Sequence, residues 1–115
     1  MTRNALVLAV LALGVAACGR KEIHAGDYDQ ACTGAEDCLV VIEGACTQCG
    51  YPCATGAINA SERGRYQVDY RALGCGASNS VECSKCPVED DSGVVVSTLS
   101  GPPTTQCVSG TCTAR

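Results

Sequence analysis

Eleven of the 115 residues are cysteine, while Trp and Phe are absent and Tyr occurs four times. A chain this short with so little aromatic bulk does not offset its ordering entropy by core burial alone, and cysteine at this density marks a disulfide-stapled scaffold. Each bridge contributes typically about 2–4 kcal/mol by restricting the unfolded chain. Such bridges persist in oxidising compartments, so the cysteines constrain address as well as architecture. Their number is odd, and one is left over from any complete pairing.

The N-terminus identifies that one. A single positive charge, Arg3, precedes an apolar run of thirteen residues from Ala5 to Ala17. A membrane-crossing helix needs about 20 apolar residues, so residues 1–17 read as a signal peptide and not as a span. The run ends in Val15-Ala16-Ala17-Cys18, which resembles the lipobox of bacterial lipoproteins, with Val15 where Leu is commonest. The resemblance covers residues 1–18. It implies cleavage before Cys18, a thioether-linked diacylglycerol and further acylation (palmitate or a similar chain) on that residue, and attachment to a membrane through the lipid. An ordinary secretory signal with Cys18 in a disulfide is the alternative; setting Cys18 aside leaves ten cysteines, which can pair completely.

Residues 19–31 are polar and contain no cysteine, so 18–31 read as a lipidated N-terminus and tether and 32–115 as the disulfide-rich domain. In enteric lipoproteins an Asp after the lipidated cysteine favours inner-membrane retention; Gly19 stands here, which points to the outer membrane of the cell envelope in a diderm. Loss of residues 1–17 leaves 98 residues and removes only Arg3 among the charges, taking the formal net charge from −4 to −5. This balance disfavours nucleic acid as a partner and leaves an unknown protein or envelope component.

Leu39-Val40-Val41-Ile42 reads as a strand after the Cys32-x5-Cys38 loop. Cys46, Cys49 and Cys53 fall in an irregular stretch broken by Gly50 and Pro52. Asn59-Ala60-Ser61-Glu62 has capping-box spacing, predicting a helix over about 60–73 with Tyr66, Tyr70 and Leu73 on one apolar stripe and Gly74 as C-cap. The Tyr pair reads as core in preference to a binding groove. Cys75, Cys83 and Cys86 lie in a second irregular segment. Val94–Leu99 reads as a strand, returned by Ser100-Gly101-Pro102-Pro103 into 104–108 and by Ser109-Gly110 into 111–113. In a two-residue hairpin Cys107 and Cys112 fall opposite each other, to bond together or to anchor the hairpin elsewhere. The fold class expected is a small disulfide-rich α+β domain: one helix, a three- or four-stranded antiparallel meander and irregular cysteine loops.

The layout of Cys32-x5-Cys38 and the terminal Cys107-Val-Ser-Gly-Thr-Cys112 resembles uncharacterised cysteine-rich secreted proteins of myxobacterial type. The resemblance spans roughly residues 28–113 and implies a shared scaffold without a known activity. Other chemistries compete for the cysteines. Cys46-x-x-Cys49 and Cys83-x-x-Cys86 have the form of zinc knuckles, but an oxidising compartment turns such thiols to disulfides. The Cys46/Cys49/Cys53 spacing departs from an iron–sulfur run. Cys83-Ser-Lys-Cys86-Pro87 could exchange disulfides, yet no strand–helix unit presents it.

His24 is the only histidine and reads as solvated, and Asp27, Asp29 and Glu89-Asp90-Asp91 match no calcium loop. The expectation is a non-enzymatic, lipid-anchored structural or interaction module, without cofactor or metal. An envelope thiol–disulfide oxidoreductase and a surface-held inhibitor or toxin-like binder are the alternatives. Spacing does not choose among the pairings of Cys32, Cys38, Cys46, Cys49, Cys53, Cys75, Cys83, Cys86, Cys107 and Cys112.

Overall fold

The computed structural model describes residues 22–76 and 86–115; residues 1–17, expected to be a signal peptide, and Cys18 and Cys83 lie outside the described residues. At the centre is strand β2, Cys38–Ala45. Val40, Val41 and Ile42 are all buried, so both faces of the strand are covered and its signature is a continuous apolar run and not an alternation. Along one edge runs β3, Ala54–Asn59, antiparallel and in register from Cys38↔Asn59 to Glu43↔Ala54. Along the other lies the short β1, Glu22–Ile23, paired with Ala45 and Gly44. The order β1-β2-β3 is an antiparallel meander.

The tether expected over 18–31 is corrected here, because from Glu22 onward the chain belongs to the folded domain. Ile23 is fully buried, and Ala25 and Tyr28 are nearly so. They join the same core cluster as Val41, Ile42, Ile58 and Tyr66. Polar neighbours point outward between them, so an average over the segment looks hydrophilic although its inward side chains are core.

Asn59 starts the helix as expected, its side-chain oxygen accepting from the Ser61 amide at 2.9 Å. The first turn is 3₁₀, Ala60–Glu62, and continues as α1, Arg63–Leu73. The reciprocal half of the capping box is replaced by a tertiary contact. The Asn59 amide donates to the Asp29 carbonyl, while the Glu62 carboxylate accepts from the Asp29 amide and pairs with Arg65. Gly74 closes the helix in the left-handed conformation, φ 57° and ψ 33°, its amide bonded to the Arg71 carbonyl. Tyr66 and Tyr70 are buried, and Leu73 packs at the margin of the core.

The strand expected over 94–99 forms as β5, Val95–Ser97, but it pairs backward with β4, Val88–Glu89, and not forward with the chain after Pro103. Thr98 and Gly101 close a tight turn on each other. Pro102 and Pro103 follow without amide donors, which prevents a continuous ladder into the next strand. The last hairpin is as expected: β6, Thr105–Val108, and β7, Thr111–Ala114, turn at Ser109 (φ 50°) and Gly110 (φ 76°), with Cys107 opposite Cys112. Positive φ at both central residues is the turn whose twist matches a two-residue hairpin. Among the described residues the chain forms a small disulfide-rich α+β domain with one α-helix and several short antiparallel strands in small sheets.

Candidate functional site

Four bridges lie wholly among the described residues: Cys32–Cys107, Cys38–Cys112, Cys46–Cys75 and Cys53–Cys86. Cys49 is disulfide-bonded as well. The first two span 75 and 74 residues and join the start of the domain to its last hairpin. Loops of that length give roughly 4 kcal/mol per isolated bridge in the chain-entropy account.

These two bridges adjoin one another. The Sγ atoms of Cys32, Cys38 and Cys112 all lie within 4.8 Å of each other. Cys38 and Cys112 are buried, whereas Cys32 and Cys107 are partly exposed. The loop from Cys32 to Cys38 is shaped by Asp37, whose Oδ2 accepts from the amide and hydroxyl of Thr33, both at 2.8 Å, and from the Gly34 amide at 3.2 Å. These bonds, led by the one from the Thr33 amide, hold the Asp37 carboxyl below its ordinary range. The hairpin is seated by backbone bonds from Cys32 to Gly110 and from Cys112 to Gln30, and by the Thr105 hydroxyl on the Ala35 carbonyl. Sequence reasoning paired Cys107 with Cys112 across the hairpin but left their bonding partners open.

In the main core cluster beside β2 the four tyrosines form a chain of ring contacts. Tyr28 meets Tyr66 edge-on at 5.7 Å, Tyr66 meets Tyr70 at 6.2 Å, and Tyr70 stacks on Tyr51 at 4.4 Å. The Tyr66 hydroxyl accepts from the Ile42 amide at 3.2 Å and donates to the Gly93 carbonyl at 3.0 Å. Burial pushes both the Tyr66 and Tyr70 phenols up, and for Tyr70 the charge of Glu89 adds to it. Arg65 lies over the Tyr28 ring, 4.7 Å from its centre, and donates to the Asp27 carbonyl. The helical stripe exposed Tyr66 and Tyr70 to sequence reasoning. Tyr28 and Tyr51 were missed because no period connects them to it.

Beside Tyr51 an open cleft of about 270 Å³ is lined by Cys49, Cys86, Pro87, Val88 and Glu89. It is smaller than the roughly 300–1,000 Å³ of clefts that enclose a small-molecule ligand. Glu89 accepts the Tyr70 hydroxyl. Asp90 is spent on its own turn: Oδ1 accepts from the amide and hydroxyl of Ser92 and the amide of Val94. His24 is exposed and hydrogen-bonded to Glu22.

The two CxxC segments are not brought together as a four-thiolate set. Cys46 is bonded to Cys75 and Cys86 to Cys53, and Cys49 is in a disulfide too. The bond to Cys53 also takes Cys86 out of an internal bridge with Cys83. Among the described residues no helix is long and apolar enough to cross a membrane.

What the fold and its cross-links define is a disulfide-rich α+β domain in which long-range bridges replace much of an aromatic core. Compared with known proteins, the chain matches no family model, no curated protein and no solved structure.

Proposed function

We propose that the protein is a lipid-anchored component of the bacterial cell envelope, held in the membrane through acyl chains on Cys18, whose stapled domain serves as a structural or interaction module. The observation that carries the reading is that every cysteine among the described residues is disulfide-bonded, a state that belongs to an oxidising compartment. The lipobox Val15-Ala16-Ala17-Cys18 supports the anchor, and the even number of remaining cysteines agrees with it. Two or three acyl chains, at about 0.8 kcal/mol per buried CH₂, give lasting attachment without any contact between domain and bilayer. Gly19 in place of Asp supports the outer membrane over the inner.

The test is metabolic labelling with an alkyne fatty acid, followed by separation of membranes on a density gradient. Wild-type protein is expected to carry the label and to travel with outer membrane; Cys18→Ser is expected to lose the label and leave the membrane fraction. Label retained on the Cys18→Ser protein would overturn the proposal.

A further inference from the structure

We propose that the Cys32–Cys107 bridge is a thiol–disulfide exchange site, at which a small thiol converts Cys32–Cys107 and Cys38–Cys112 into Cys32–Cys38 and Cys107–Cys112. Three observations meet there. The Cys32 sulfur lies within 4.8 Å of both sulfurs of the neighbouring bridge. Access is unequal: Cys38 and Cys112 are 8% and 1% exposed, while Cys32 and Cys107 are each more open. The hairpin register places Cys107 directly opposite Cys112, next to a two-residue turn, where facing side chains of a non-hydrogen-bonded pair come closest.

Exchange proceeds by attack of a thiolate on a disulfide sulfur, so it begins where solvent reaches. The incoming thiolate attacks Sγ of Cys107. The bond to Cys32 breaks, a mixed disulfide forms on Cys107, and Cys32 departs with the electron pair as a thiolate. That thiolate attacks Sγ of Cys38. The Cys38–Cys112 bond breaks, Cys32–Cys38 forms, and Cys112 departs as a thiolate. From across the hairpin Cys112 then attacks Sγ of Cys107, forming Cys107–Cys112 and expelling the small thiolate unchanged. Two disulfides enter and two leave; nothing is oxidised or reduced overall, and the co-reactant is a catalyst of the low-molecular-weight thiol class.

The outcome changes what holds the C-terminal hairpin. Bridges separated by 75 and 74 residues give way to two local ones, across the Cys32-x5-Cys38 loop and across the hairpin itself. No disulfide then ties β6 and β7 to the rest of the domain. Their attachment rests on contacts such as Cys32 to Gly110, Cys112 to Gln30 and Thr105 to Ala35. The site thus acts as a latch on the hairpin, opened without net reduction.

The full-length oxidised protein is incubated with substoichiometric glutathione, quenched in acid, and cut after Glu36 and after Val108 for mapping by mass spectrometry. Linked peptides for Cys32–Cys38 and Cys107–Cys112 are expected to rise together, with free thiol remaining at the level of added glutathione. Opening of Cys32–Cys107 with Cys38–Cys112 left intact would overturn the proposal, as would loss of both bridges to free thiols. In a Cys32→Ala/Cys107→Ala double variant, opening of Cys38–Cys112 is expected to slow about tenfold or more, because the only route is through a buried sulfur. An unchanged rate counts against the proposal. Should that variant fail to fold, Cys107→Ala alone leaves the Cys32 thiol in place and is expected to form Cys32–Cys38 with no thiol added. Persistence of Cys38–Cys112 in that protein sinks the relay.

Discussion

Gly93 shows how tightly single positions are set in a domain with so few large side chains. Its φ is +80°, its carbonyl takes the Tyr66 hydroxyl, and a Cβ there would lie 2.5 Å from the Tyr70 ring and 2.7 Å from that of Tyr66. Gly93→Ala combines a left-handed backbone penalty with overpacking, and a loss of about 2–4 kcal/mol is expected in denaturant unfolding. Residues of this kind were only partly legible in the sequence. Asn59, Gly74 and Ser109-Gly110 announced themselves because capping and turn chemistry is local. Gly56 did not: a Cβ there would sit 2.7 Å from the Glu43 carboxylate and 2.8 Å from the Ala25 methyl, a constraint imposed by residues far along the chain.

Elements were read best where their own pattern is complete. The apolar run of β2 and the stripe of α1 carry their burial in the sequence, whereas β3 is built largely from small residues with no strand pattern of their own, and two-residue β1 has no room for a period. The partner of β5 is only the two-residue β4, joined with a register shift at Val88/Glu89, and the two prolines interrupt a ladder in the other direction. The loop from Cys32 to Cys38 makes a pH-dependent prediction. Its Asp37 carboxyl is held low by the bonds from Thr33 and Gly34, so its contribution is present above the ordinary carboxylate range and is lost as pH falls through and below it. Thermal melts of wild type are expected to decline on acidification below about pH 4. Asp37→Asn is expected to melt a few degrees lower at neutral pH and to show a shallower acid decline. An equally steep decline in that variant would assign the effect to other carboxylates.

At the scale of the whole molecule, the pairing of the cysteines was the least legible feature, since closing loops of 75 and 74 residues depends on where the entire fold places them. What the sequence did carry was parity. With eight cysteines joined among the described residues and Cys49 bonded as well, Cys83 is the framework cysteine that remains once Cys18 is assigned to lipid. Peptide mapping under non-reducing conditions is expected to recover Cys49 joined to Cys83. Cys49 joined to Cys18 would defeat the parity argument and the lipid anchor together.

The early start of β1 bears on how far the protein would reach from the anchor proposed for it. Glu22 is already paired with Ala45, so with lipid on Cys18 only Gly19, Arg20 and Lys21 stand between the acylated residue and the sheet. Four extended residues reach at most about 14 Å. On the proposed anchor, a leash of that length would keep the domain beside the lipid headgroups, and a partner of the proposed module would meet it at the membrane surface.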